Sequence, residues 1–229
     1  APLWDSRPEL PLIRSGPLPA ILFSVPIKLV GFNNAPPLIV GIQCFLLYVM
    51  SILSRNIAIP FSVNKTLVQS LVLLNANLIG LAHLAQSDIL FAFLFCCLLV
   101  VINRLLFQPE KTQLRWFLLI GILSGFLCLT RGVGLIISII MPIILLLAFS
   151  VNKNRKLISV KAIFIGFIYA SFIFLLVIFP WSARNFVVHK QFSPTLGVTE
   201  QLEYNLSKLL IAQGYNTTEQ RNQYIEKAI

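Results

Sequence analysis

Pro180-Trp181-Ser182-Ala183-Arg184-Asn185 marks the point where the last long apolar run of the chain stops and a polar sequence takes over. Upstream of it, six apolar runs follow one another at about 36–54, 66–86, 89–107, 116–130, 133–151 and 160–180. Each approaches the ~20 residues that a helix needs to cross a hydrocarbon core. A bilayer interior has no water to satisfy an open backbone, so runs of this kind can only be helices that bond to themselves. Composition agrees: 57% of the 229 residues are apolar, 11% are charged and the mean hydropathy is +0.86. Too little polar surface remains to cover a soluble domain. The expected fold class is all-α, a polytopic membrane helix bundle of about six spanning helices.

On either side of the runs the sequence changes character. Residues Ala1 to Pro17 hold Pro2, Pro8, Pro11 and Pro17 among charged residues, the signature of an extended loop facing water. Leu18 to Phe32 is apolar but only about fifteen residues long, and it contains Pro26 and Lys28. An interfacial helix lying along the membrane fits it better than a span. Past Gln191 a polar stretch gives way to a helical pattern of Leu202, Leu206, Leu209 and Leu210, the start of an extracytoplasmic segment. The expected organisation is therefore 1–35 as outer loop and interfacial helix, 36–181 as transmembrane bundle and 182–229 as extracytoplasmic loop and helices. The chain starts at Ala1 with no signal-peptide pattern and stops inside an amphipathic segment, as a piece of a larger protein would. Asn205-Leu206-Ser207 and Asn216-Thr217-Thr218 match the glycosylation sequon, a weak signal in a tail rich in Asn and Thr.

Charge sets the topology. The net charge of +10 is spread between apolar runs instead of forming one patch, which argues for membrane topology and against nucleic acid as a partner. Alternate connections carry Arg55 and Lys65, then Arg104, Lys111 and Arg115, then Lys153, Arg155, Lys156 and Lys161. The positive-inside rule puts this set in the cytoplasm, which leaves Asn33-Asn34, Asp88, Arg131 and everything after Trp181 on the opposite face. The parity holds only if 18–32 does not cross. Cys44, Cys96, Cys97 and Cys128 all lie inside apolar runs without metal-site spacing, so apolar packing is their expected role. Gly121-Ile122-Leu123-Ser124-Gly125 permits close helix contact, although two glycines in an apolar run also arise by chance.

Three charges on the outer face need an explanation. Asp88 stands at the membrane boundary, where a carboxylate is costly unless it meets water, a partner or an ion. It admits two readings: the end of a polar seam through Ser70 and Asn77 on one helix face, or, with Ser87, a cap for the run starting at Ile89. His83 reads as an interhelical hydrogen-bond partner sooner than a ligand. Arg131 and Arg184 end successive outward runs on the face that the rule depletes of positive charge. Each alone would snorkel to headgroups; together, with Arg14 and Lys28 on the same side, they point to an anionic ligand. Phosphate suits them, since a guanidinium offers it two parallel hydrogen bonds. Trp181 belongs to the interfacial aromatic belt or stacks on a ligand. No glycine-rich phosphate loop, His/Cys metal cluster or Ser-His-Asp set stands out. The residues specify no cofactor and leave a divalent metal open: Asp88 is the one nearby acid it could use, and hard cations normally want several oxygen ligands.

Four short motifs carry a resemblance: Arg14-Ser15-Gly16-Pro17-Leu18-Pro19, Gln86-Ser87-Asp88, Gly125-Phe126-Leu127-Cys128-Leu129-Thr130-Arg131, and Pro180 to Asn185 followed by Phe192-Ser193-Pro194-Thr195-Leu196-Gly197. In this order and spacing they resemble the dolichyl-phosphate-mannose-protein mannosyltransferase-like glycosyltransferases of the GT-C class, nearest to the bacterial branch that includes lipid A aminoarabinose transferases. The resemblance implies a bacterial inner-membrane enzyme. It would transfer a sugar from a polyprenyl-phosphate donor to a lipid, glycan or protein acceptor on the outer face. It further implies that Asp88 is the acid of the second outer loop, near the active site, that Arg131 and Arg184 lie near the donor phosphate, and that Asn185 is the Asn following the second arginine. Arg14 falls at the family's first motif, which here lacks its usual Tyr between Leu18 and Pro19. The family's first catalytic acid follows a first spanning helix that this chain does not contain, so the expectation is a further helix before Ala1 and no activity for this polypeptide alone. The competing readings are a transporter or flippase component that binds an ion or anionic lipid, and a scaffold in which Asp88 and both arginines are freely replaceable.

Overall fold

A computed structural model describes residues 16–84, 87–107, 114–151, 160–189 and 192–194, with side chains at 145–151, 160–162 and 189 left aside. Every regular element among the described residues is helical. The α-helices are α1 (Pro17–Val30), α2 (Ala35–Ala58), α3 (Lys65–Leu73), α4 (Ala76–Ala82), α5 (Asp88–Phe107), α6 (Leu114–Thr130), α7 (Val133–Val151) and α8 (Val160–His189). Three stretches, Phe32–Phe61, Asp88–Phe107 and Ile163–Val188, are long and apolar enough to cross a membrane, and a fourth is added if α3 and α4 count as one bent span. The 17 residues of α6 fall short of the ~20 that a full crossing takes.

Side-chain contacts fix the direction of each helix. Asn103 Nδ2 donates to Asn56 O at 2.9 Å and the Phe107 ring meets Phe61 at 5.7 Å, so α2 and α5 advance together and run parallel. The same holds for α6 and α8, whose contact climbs from Gly121 against Ala170 and Ile173 to Gly125 against Val177. Helix α7 returns antiparallel to α6, with Ser138 Oγ donating to Ser124 O at 3.3 Å. All of Arg55, Lys65, Arg104 and Arg115 consequently gather at one end, and Asp88, Arg131 and Trp181 at the other.

The α6–α8 pair is the most extensive helix contact among the described residues, and the glycines at 121 and 125 permit it. A methyl group at Gly121 would lie 2.5 Å from Ala170 O, and one at Gly125 2.6 Å from Val177 Cγ1. Neither distance is physically available to a side chain. In lipid there is no hydrophobic gain from bringing two apolar helices together, so dispersion across such a close approach holds the pair. The core that results joins Leu94, Leu98 and Leu105 of α5, Phe117 and Ile120 of α6, and Phe167 of α8. On the opposite side of α8, Phe164, Ile168, Phe172, Leu175 and Phe179 form a helical stripe that stays exposed and apolar, as a surface against acyl chains requires.

Several expectations are corrected. The run 66–86 is not one helix: Asn75 Oδ1 accepts from Leu78 N at 3.1 Å, caps α4, and produces a 49° bend. An Asn side chain competes for backbone donors and so starts a new helix where it interrupts an old one. The seam through Ser70, Asn77 and Asp88 is lost with that break, since the three residues stand on three different helices. His83 bonds locally, Nδ1 to Ile79 O at 2.8 Å, instead of reaching another helix. Cys96 and Cys128 are buried as expected, but Cys44 faces outward and Cys97 is half-buried. Finally, α8 continues through Pro180 as far as His189, so the polar sequence after Trp181 starts as helix. Pro180 forgoes only the one backbone bond its missing N–H would have donated.

Candidate functional site at one end of the bundle

Asp88 is the first residue of α5 and Arg131 directly follows the last residue of α6. Both placements suit the helix dipole, which favours an anion where N–H groups are unpaired and a cation where carbonyls are. The two ends lie side by side, and Arg131 Nη1 donates to Asp88 Oδ1 in a direct ion pair. Each charge thus supplies the partner that the other needs at a membrane boundary. The side chains remain 43% and 26% exposed, so the pair is open to a ligand from outside. Asp88 Oδ2 takes no part in the bond to Arg131.

The start of α1 reaches the same place. Gly16 N donates to Thr130 O at 3.2 Å, and its Cα lies so close to the Leu129 carbonyl that no side chain fits there. Pro17 and Pro19 are buried behind it, and Leu18 packs with Leu129, Ile178 and Trp181. This contact holds the stretch just after Arg14 against the end of α6. Arg14 itself lies outside the described residues.

Residues of α8 complete the rim. The Arg184 guanidinium carbon lies 4.5 Å from the centroid of the Trp181 ring, one turn below it on the same helix face. Arg184 Nη1 also reaches Asn185 Oδ1 at 3.3 Å, and no carboxylate pairs with it among the described residues. Asn185 is fully buried and donates through Nδ2 to Ser193 O at 2.7 Å. The ring of Phe192 lies 6.2 Å from that of Phe179, against the side of α8. Two buried polar atoms close by, Trp181 Nε1 and Ser182 Oγ, lack a hydrogen-bond partner among the described residues.

The structure therefore brings Asp88 and Arg131 together as a pair, and Trp181, Arg184 and Asn185 together as a stack. The two groups share the apolar floor of Leu129, Ile178 and Trp181 and are not bonded to each other among the described residues. Trp181 is half-buried, with the Arg184 guanidinium over its ring. Sequence reasoning missed Ser182, a small polar residue in an apolar helix, whose full burial no local pattern announces. It also missed the direct pairing of Asp88 with Arg131, since 43 residues separate them. Among the described residues no three His, Cys, Asp or Glu side chains gather as a metal site.

Compared with protein-family models, curated proteins and solved structures, the chain matches none of them. Among the described residues, fold and rim together define an all-helical protein with membrane-length helices and a charged, partly exposed end.

Proposed function

We propose that the chain forms the membrane part of a glycosyltransferase that moves a sugar from a polyprenyl-phosphate donor to a lipid, glycan or protein acceptor on the outer face of a bacterial inner membrane. The observation that carries this reading is the convergence of four motifs, distant in sequence, on one end of the bundle: Gly16-Pro17, Ser87-Asp88, Thr130-Arg131 and Trp181 to Asn185. In this reading all six apolar runs cross, with α3 and α4 as one bent span. Helix α6 covers about 26 Å at ~1.5 Å per residue and needs the bilayer only slightly thinned around it. Helix α1 lies at the interface, and the sequence beyond Pro194 faces the outside.

The chemistry follows from the charges. Asp88 Oδ2 accepts the acceptor hydroxyl's proton as its oxygen attacks the anomeric carbon, and the bond from that carbon to the phosphate oxygen breaks. Arg184, already stacked on Trp181 and without a carboxylate, takes the phosphate charge that develops; Arg131 shares it from the other side. Arg14, outside the described residues, is proposed to join them on the strength of its motif alone. The reaction as written needs no metal.

The test is transfer from a labelled polyprenyl-phosphate sugar by membranes of the protein's own cells, with Asp88→Asn or Arg184→Ala introduced in place. Transfer falls at least a hundredfold in each if the rim is the site, the usual cost of removing a general base or one charge-stabilising donor. Unchanged transfer in both, with protein levels equal, rules it out.

A second reading, a transporter or flippase component, draws on the bend at Asn75, because broken helices are common where transporters bind their cargo. On that reading Asn75→Ala abolishes uptake of an anionic lipid into vesicles while sugar transfer is absent throughout.

A further inference from the structure

At the end opposite the rim, the ends of α2 and α5 enclose a second polar site, with the start of α6 joined to it through Arg104 over Trp116. Asn103 of α5 ties down the end of α2 through Asn56 O, and the Phe61–Phe107 contact closes the far side. Between them opens a cleft of about 120 Å³ lined by Asn56, Pro60, Asn103, Arg104 and Phe107. Arg104 forms part of its wall, and its guanidinium carbon lies 5.6 Å from the centroid of Trp116; that of Arg115 lies 5.0 Å from the same centroid.

Two guanidiniums over one indole are at most about 11 Å apart, close to the ~8–10 Å over which salt screens charge at physiological strength. They repel each other, and among the described residues neither has a carboxylate partner. Their attraction to the ring holds them in place without neutralising them. An anion between them removes the repulsion. The neighbouring Phe107 and Leu114 are exposed and apolar, suited to the chains of a lipid whose headgroup sits above them.

We propose that Arg104, Arg115 and the adjoining cleft bind a phosphate group, presented either by an anionic phospholipid of the leaflet at this end or as free phosphate. The two guanidiniums bond its oxygens, and Asn103 borders the cleft that receives it. This site is independent of the rim and of any transferase activity.

The experiment reconstitutes the full chain in nanodiscs of phosphatidylcholine with a minor fraction of phosphatidylglycerol, and measures by mass spectrometry which lipid stays bound after mild detergent extraction. The unaltered protein is expected to retain phosphatidylglycerol, and the Arg104→Gln/Arg115→Gln variant to retain about tenfold less, the equivalent of ~1.4 kcal/mol. Lys65→Gln, a basic residue at the start of α3 that does not line the cleft, should retain as much as the unaltered protein. In parallel, Tm is followed with inorganic phosphate against chloride at equal ionic strength. Retained phosphatidylglycerol with no phosphate effect assigns the site to lipid; a phosphate-dependent rise in Tm, absent in the variant, with no lipid preference assigns it to free phosphate. Equal lipid retention and equal Tm in protein and variant overturn the proposal. If circular dichroism shows that the double variant has lost its helices, Arg115→Gln alone, an exposed position at the start of α6, carries the same comparison.

Discussion

Replacing Gly125 by Ala puts a methyl group 2.6 Å from Val177 Cγ1 and 2.7 Å from its Cβ. Carbon atoms in contact prefer ~3.5–4.0 Å, so about 1 Å of space is missing. A turn of the Val177 side chain does not supply it, because Cβ is fixed to the helix and a β-branched residue has one favoured rotamer there. Helices α6 and α8 must therefore move apart by about 1 Å. Overpacking of this kind costs ~1–3 kcal/mol, against ~0.5–1 kcal/mol gained from the better helix propensity of Ala. The net expected loss is about 1–2 kcal/mol, a drop of roughly five- to thirtyfold in the folded-to-unfolded ratio in mixed micelles. Because α6 carries Arg131 and α8 carries Arg184, the same shift separates the two arginines. A misplacement of ~1 Å can cost about a hundredfold in rate. Val177→Ala on the Gly125→Ala background removes the obstructing branches and should restore part of both stability and transfer. Two results refute the reasoning: Gly125→Ala as stable as the original protein, or a Val177→Ala change whose effect is the same with and without the substitution at 125.

Other outcomes follow from the rim. A double-mutant cycle of Asp88→Asn and Arg131→Gln should show a stability coupling of only ~0.2–1 kcal/mol, since the pair is substantially exposed, while either single change removes most of the transfer; this is read from unfolding midpoints beside the transfer assay. Trp181→Ala should weaken donor binding about two- to fivefold, corresponding to ~0.5–1 kcal/mol of ring–guanidinium attraction, with Trp181→Phe losing less; Kd for a non-transferable polyprenyl-phosphate analogue decides it. Asn185→Leu deletes the buried bond to Ser193 O and leaves that carbonyl without its side-chain donor, costing ~1–3 kcal/mol locally; limited proteolysis near Phe192 should accelerate without loss of global helix content.

How much of this was legible in the sequence depends on the range of the interaction. Helices α2, α5 and α7 fall where apolar runs do, because hydropathy over some twenty residues is a local property. The break at Asn75 was hidden, since a single Asn in an apolar run is neutral until its side chain captures a backbone donor. The close approach at Gly121 and Gly125 was visible as spacing; its partner, Val177, was not, because only the packed fold brings α8 alongside α6. Asp88, Arg131 and Arg184 stood out as charges on the wrong face, yet that two of them neutralise each other depends on α5 and α6 ending side by side. The burial of Ser182 and Asn185 had no sequence signal, because α8 was expected to stop at Pro180.

The parallel pairing of α6 with α8 also bears on how the chain is made. A ribosome delivers α6 and α7 before any part of α8 exists, so the glycine groove of α6 has no occupant while both earlier helices are already synthesised. For that interval the groove has no helix partner, and α6, 17 residues long, is held by α1, α5 and α7. Its final position is settled late, when Ala170 to Val177 arrives. The event that seats α6 is then also the one that brings Arg184 to the same end of the bundle as Arg131.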